Sequence, residues 1–350
     1  AARGAAALLA RCPQSLRPVL GTTLAALVVL EHAAYGDARG VDLPAGRDLP
    51  DVYRWLAERP GPEAIAELPV RPLRLHRSGA LEQYFATVHR RPILTGWPSF
   101  PPPALELIRY ELRDFPDARS LALLRSLGVR LAVVHPRRWE EERARFERRL
   151  QERADLLPVL ATFEERAHPV WDRFHIGGER ILEIPPGAVP PPEPCACRPV
   201  PSAALRATAG GGNDPRLAID GARETRWTTM PADQRQGMHL ELRLDRPRVI
   251  ARVEVAAGFP YGEFGRYVEV LGLVDGEWRR VGPRADHGAL AAVVRDLVDD
   301  PTRAWLPYAV DPVPMAGVRL VIGREPEDGT GPWSVPEIRL QEIAGETPAP

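Results

Sequence analysis

Residues 238–257 read MHLELRLDRPRVIARVEVAA, and their rhythm decides the class of the C-terminal part of the chain. Leu240, Leu242 and Leu244 alternate with Glu241 and Arg243, and after a Pro-containing break Val253 and Val255 alternate with Arg252 and Glu254. A period of two sends one set of side chains to a core and the other to water, as a half-buried antiparallel strand requires. The pattern returns in RYVEVLGLVDGEWRRV (266–281), GVRLVIG (317–323) and EIRLQEI (337–343), with Asp-Gly, Gly-Pro and proline-rich turns between. Helical periodicity largely disappears here, so residues 203–345 are expected to form an all-β sandwich.

Working towards the N-terminus, the proline-rich stretch PPGAVPPPEPCACRPVPS precedes this region, and residues 186–202 read as an extended, semi-rigid linker. Before it, residues 48–185 mix helices and short apolar strands, which argues for a small α/β domain. Helices are expected over LPDVYRWLAERPG (49–61, capped by Asp51), 78–89, 104–115, 118–127 and the charged stretch 138–153. Strands are expected in AIAELPV (64–70), VRLAVVH (129–135), LLPVLATF (156–163), PVWDRFHI (169–176) and RILEIP (180–185). The His89-Arg90-Arg91 run reads as a solvated helix end, and the Glu-Arg pairs of WEEERARFERRLQER as a solvated helix face.

With 350 residues and 44% hydrophobic content, the chain has material for two cores, and a formal charge of -1 gives no electrostatic reason to expect nucleic acid. All 46 basic residues are arginine, and the 39 prolines are about twice average usage. Cys12, Cys195 and Cys197 offer no second ligand pair for zinc, so Cys195 and Cys197 are either a local disulfide or two free thiols. The run PVLGTTLAALVVL (18–30) is charge-free with Arg11 and Arg17 before it, but short of the roughly 20 residues of a full span. It reads as the end of a membrane span, an export signal or a buried helix. We expect residues 1–35 to be a partial membrane span or export segment, which places the remainder on the extracytoplasmic side of a cell membrane.

The order LAIDGARETRWTT (217–229), GMHLELRLDRPRVIARVEV (237–255), GRYVEVLGLVDGEWRRV (265–281) and WSVPEIRLQEI (333–343) resembles the discoidin, or F5/8 type C, domain across residues 203–345. That family is a galactose-binding-like jelly roll found in carbohydrate-binding modules. The resemblance implies a structural calcium held by the carbonyls of Leu217 and Ala222, the Asp220 side chain, Thr225 and Glu337. Oxygen donors gathered at an Asp-Gly turn suit a hard cation, and the same turn also reads as an Asx turn without metal. Trp227 and Trp278 are expected to pack internally. Phe259, Tyr261 and Phe264, in the loop AGFPYGEFGRY, and Arg266 are the better glycan-binding candidates, because aromatic faces cover a sugar ring while Arg bonds its hydroxyls. Trp305 and Tyr308 are secondary ones.

The N-terminal half, with VYRWLAERP, IAELPV, YFATVHRRPILTGWPSF and LLRSLGVRLAVVH, resembles the C-terminal extracytoplasmic region of bacterial GT-C-like multi-pass membrane glycosyltransferases. In that family the catalytic acids lie in an early loop between membrane helices, a part with no counterpart in these residues. His76, His89, His135, His168 and His175 make no metal-ligand pattern, and no nucleophile elbow or phosphate-binding loop is present. The expectation is a non-catalytic, carbohydrate-contacting region of a lipid-linked-sugar-dependent glycosyltransferase. The other reading is a protein-interaction or adhesion module.

Overall fold

The computed structural model describes residues 13, 22–23, 43–70, 78–94, 103–138, 143–166, 168, 171–172, 175–188, 191, 194–257, 263–284, 287–326 and 331–344. The chain divides into residues 1–48 and 49–350. In the first unit Thr22 and Thr23 are helical and Gly46–Asp48 make a 3-10 turn. The rest of the apolar run 18–30 lies outside the described residues. Among those described, no helix is long and apolar enough to cross a membrane.

The second unit holds the α/β part and the β sandwich expected from the sequence. Its first sheet has the order β1 (Ala64–Leu68), β2 (Val129–Val134), β4 (Arg180–Glu183), β3 (Val159–Thr162), with β1 and β2 parallel and the other pairs antiparallel. Both faces are covered, which is why these strands read as continuous apolar runs rather than clean alternation. On one face Ile65, Leu131, Val133 and Ile181 pack with Val52, Tyr53 and Leu56 of α1 (Asp51–Glu58) and Leu81 and Phe85 of α2 (Ser78–His89). On the other, Ala66, Leu68, Ala132, Val134 and Leu182 meet α3 (Pro103–Leu112), α4 (Ala118–Ser126) and α5 (Arg143–Glu152).

Several local expectations change. Asp51 is the first helical residue, and Pro50 takes the cap without a side-chain bond. The stretch 169–176 contains a helical turn at Trp171 and Asp172 instead of a strand, closed by the bond from Asp172 N–H to the His168 carbonyl. The end of α2 is solvated only at Arg90, which is exposed; His89 and Arg91 are 5% and 4% exposed. The Arg91 guanidinium donates to the carbonyls of Leu56 and Arg59 and pairs with Glu63, so it satisfies carbonyls at the C-terminal end of α1. Within α5, Phe146 and Leu150 are buried beneath the charged face.

The sandwich is built on two 18-residue strands, β8 (His239–Ala256) and β11 (Trp305–Ile322). Their N- and C-terminal halves belong to different layers. One layer runs β6 (Leu205–Ala209), the first half of β8, the second half of β11, β9 (Val268–Val274) and β10 (Glu277–Gly282). The other runs from the first half of β11 through the second half of β8 to β13 (Ile338–Ile343) and β5 (Cys197–Pro199). The β8–β11 register breaks between Ala309 and Val313 and between Met315 and Gly317, where the pair crosses from layer to layer. Leu240, Leu242, Ile250, Val253, Val270, Val318, Leu320 and Leu340 fill the space between. Asp275 and Gly276, with φ of 52° and 82°, form the β9–β10 turn, both in the left-handed region that a two-residue hairpin demands. β7 (Trp227–Thr228) pairs with β12 (Ser334–Val335), and Trp227 meets Trp333 edge to face at 5.1 Å. Cys195 and Cys197 are joined as a disulfide at the start of β5.

One element was not foreseen. Residues His287–Asp299 form α6, between β10 and β11, and its Leu290, Val293, Val294 and Leu297 are buried with Leu107, Ile108, Leu121 and Leu124 of α3 and α4. Burying four such side chains contributes roughly 6–12 kcal/mol as an upper estimate. The sandwich thus lends a helix to the α/β core.

Candidate functional site

Where the sandwich meets α3, a cleft of ≈ 440 Å³ opens between Tyr110, Arg113 and Asp114 on one wall and Phe264, Tyr267, Tyr308 and Arg324 on the other. Its volume lies in the range of small-molecule sites. Tyr267 is among the residues that line it. This residue has φ 49°, a left-handed backbone that costs a bulky L residue of order 1–3 kcal/mol and persists only where surroundings impose it. The surroundings do so. Tyr267 N–H donates to the Tyr110 hydroxyl at 2.8 Å, and its carbonyl accepts from Gly323 N–H at 3.0 Å. Its ring meets Tyr110 edge to face at 5.6 Å, with the guanidiniums of Arg113 and Arg324 at 4.4 and 3.5 Å from its centroid. Burial pushes the Tyr110 hydroxyl above its ordinary value, so it keeps its proton at neutral pH and can donate it to a ligand.

The charges around the cleft are largely paired. Glu111 binds Arg119, Asp114 is held by Arg113 and Arg149 at 3.1 Å each, and Glu269 lies 3.5 Å from Arg280. Burial alone would raise Asp114, but Arg113, Arg149 and Arg324 together hold it below the usual carboxylate value. Asp117 is occupied as the cap of α4, accepting from Ser120 N–H at 2.8 Å. Arg284 lies 3.6 Å from Asp311. Arg324 is exposed and forms no ion pair among the described residues.

Of the four glycan candidates, two are described, one lining the cleft and one behind it. Phe259 and Tyr261 lie outside the described residues. Phe264 lines the cleft, edge to face with Tyr110 at 5.6 Å. Arg266 is 2% exposed behind it, stacked on the Phe264 ring at 3.6 Å and 3.7 Å from Glu106. Burial, helped by the charge of Arg109, lowers its pKa to about 10. Both face α3 instead of forming an isolated loop tip. Tyr308 lines the cleft, whereas Trp305 lies away from it, under the guanidiniums of Arg223 and Arg339. Trp227 is 1% exposed and packs internally as expected, whereas Trp278 is half-buried under the guanidiniums of Arg243 and Arg319 and outside the buried core.

The Asp-Gly turn forms a separate polar centre. Asp220 accepts from Ala222 N–H at 2.9 Å and from the Thr225 hydroxyl at 2.7 Å; that hydroxyl is also 2.9 Å from the Ala222 carbonyl. Glu337 is 7% exposed and accepts Gly221 N–H at 3.0 Å, so the turn and the loop before β13 are tied together. Leu217 begins the same turn, its N–H bonded to the Asp214 carbonyl. Burial and then Asp220 raise the Glu337 carboxyl, against the N–H of Gly221, which lowers it. A buried carboxylate repelled by another beside hydroxyl and carbonyl oxygens is a donor set that fits a hard cation. Among the described residues no group of three or more His, Cys, Asp or Glu could hold a metal; this centre has two carboxylates and otherwise neutral oxygens.

A third centre, not foreseen in the reading of the sequence, lies under α1 and α2. Glu67, His135 and Glu179 sit at one end of β1, β2 and β4, on the face of Ile65, Leu131 and Ile181. His135 is 0% exposed, with Nε2 2.8 Å from Glu67 and Nδ1 3.3 Å from Glu179. Tyr53 donates to Glu67 at 2.8 Å, Arg138 donates to Glu82 at 2.9 Å, and Gly177 N–H donates to Glu179 at 2.6 Å. Burial and Arg138 push His135 down, yet the two carboxylates prevail and raise it above an ordinary histidine. The centre is sealed from solvent.

No family model matches the chain, and no curated protein matches it. Among solved structures, the family 32 CBM from Clostridium perfringens NanJ in complex with galactose is 16% identical, aligning 42% of this chain with 99% of its own at a TM-score of 0.33. The F5/8 type C domain of a Bacteroides fragilis protein is 20% identical over 43% of this chain and 99% of its own, with a TM-score of 0.31. A further Clostridium perfringens CBM32, in complex with GalNAc-beta-1,3-galactose, is 19% identical over 41% of this chain and 99% of its own, with a TM-score of 0.31.

Proposed function

We propose that residues 49–350 are a non-catalytic, carbohydrate-contacting region that works on the extracytoplasmic side of a membrane, beside a glycosyltransferase that uses a lipid-linked sugar. The observation that carries the sugar reading is the strained Tyr267 in the cleft. Its ring, with those of Tyr110, Phe264 and Tyr308, lends apolar edges to a wall whose ring faces carry the guanidiniums of Arg113, Arg266 and Arg324, a mixed surface on which a pyranose can rest. The Tyr110 hydroxyl and the guanidiniums offer donors for hydroxyl groups. Such a contact is weak: one ring on one sugar contributes about 1 kcal/mol beyond burial, which corresponds to dissociation constants near the millimolar range. Attachment next to a membrane-bound enzyme makes such weakness useful by raising effective concentration. Calcium in this reading is structural, held by the carbonyls of Leu217 and Ala222 with Asp220, Thr225 and Glu337. When bound it supplies positive charge that relieves the repulsion between the two carboxylates.

Saturation-transfer NMR of the full chain with galactose, glucose and their disaccharides tests the reading. Tyr267→Gly suits the left-handed backbone and removes the ring, so the fold is kept while the sugar contact is lost. Sugar signals that survive in Tyr267→Gly, or none with the unaltered chain, would favour a protein-interaction module.

A further inference from the structure

We infer that the cleft selects an anionic sugar, whose carboxylate or phosphate is paired by Arg324. The inference rests on the sugar reading above and adds the charge of the ligand to it. A cleft that recruits a cation needs a carboxylate to spare, and this one has none: Glu111, Asp114, Asp117 and Glu269 are each engaged by Arg119, by Arg113 and Arg149, by the α4 backbone and by Arg280. The cations differ. Arg113, Arg119, Arg280 and Arg284 are paired, while Arg324 is exposed, laid over the Tyr267 ring, and within ion-pair distance of no carboxylate among the described residues; the carboxylate that feels its charge, Asp114, is already bonded by Arg113 and Arg149.

Stacking on tyrosine fixes the plane of the Arg324 guanidinium without using its N–H groups, so little ordering is left to be done when an anion arrives. A planar fork held in this way matches the two oxygens of a carboxylate or phosphate. The adjacent ring wall then receives the sugar attached to that anion. Neutral sugars would use the wall alone.

The test is a titration of the full chain with galactose, galacturonic acid and galactose 1-phosphate, read by saturation-transfer NMR at low and at physiological salt. At least one acid is expected to bind about tenfold tighter than galactose, the gain shrinking as salt screens the exposed charge. Which acid gains identifies the group. Arg324→Gln should bring the acids down to the affinity of galactose, whereas Arg279→Gln, on the β9–β10 hairpin outside the cleft, should keep the preference. Equal affinities for the three ligands in the unaltered chain, or a preference that survives Arg324→Gln, overturn the inference and leave the sugar reading standing. Binding of none of them overturns both.

Discussion

Replacing His135 with alanine measures what the sealed ionic centre contributes. In the native chain the imidazole lies between two carboxylates and is itself fully buried. Both neighbours are acceptors and together raise its pKa, which favours the protonated ring with one N–H toward each carboxylate. Removing it leaves Glu67 with the Tyr53 hydroxyl and with Arg138 at 4.0 Å, and Glu179 with the Gly177 N–H. Two carboxylates that are 1% and 2% exposed then lose their shared counter-charge. Breaking a buried pair in this way costs about 3–5 kcal/mol. Urea unfolding followed by tryptophan fluorescence, with Trp171 in the same apolar cluster, reads the loss. The pH profile separates electrostatics from packing. His135 is raised, so its contribution is complete below 6.5 and is lost as pH rises through its higher folded value. Glu67 and Glu179 are pushed up by burial but held below 4.5 by His135, so theirs is complete above 4.5 and fades as pH falls through their lower folded values. Stability should therefore form a plateau between the two limits, and His135→Ala should abolish the alkaline descent. A cost under about 1 kcal/mol, or an alkaline descent unchanged in the mutant, refutes the reasoning.

If the proposed calcium binds the folded turn and not the unfolded chain, it should raise the melting temperature of the full chain, and Asp220→Ala or Glu337→Ala should each remove the shift; scanning calorimetry with and without the ion reads this. Without calcium, the raised Glu337 makes the chain more stable below 4.5, an advantage lost as pH rises through the folded value, so Glu337→Gln should flatten that part of the profile. Leu297→Ala in α6 should cost about 2–5 kcal/mol and shift the unfolding of the α/β part and the sandwich together, because this side chain sits in a core they share. Separate transitions for the two parts in calorimetry would show that the shared core is not cooperative.

Much of the scaffold was legible in the sequence. The helix over Ser78–His89 and the strand β9 emerge from periodicity, β2 from its short apolar run, and Asp275-Gly276 marks its own hairpin. Helix α6 was hidden for a physical reason. Its apolar face is defined by α3 and α4, more than 160 residues earlier, and HGALAAVVRDLVD carries Val293 and Val294 as a strand does. The buried centre was hidden for another: Glu67 and His135 are 68 positions apart, each a single polar residue at a strand end, and only the parallel pairing of β1 and β2 brings them together. Phe264 and Arg266 were visible as an aromatic-basic pair, but α3 as their neighbour was not. Arg91 was misread because a charge beside a helix end is usually wet; here the C-terminal carbonyls of α1 needed a donor.

The helix loaned by the sandwich bears on modularity. Cut near position 200 and moved to another host, residues 200–350 would carry α6 with its greasy side bared, and the α/β part left behind would lose one wall of its interior. The cleft would vanish too, since each fragment keeps one of its two sides. For protein engineering the smallest transplantable cassette is therefore the span 49–350. A library that shuffles this sandwich as an autonomous part would be enriched for aggregation unless Leu290, Val293, Val294 and Leu297 were recoded for water.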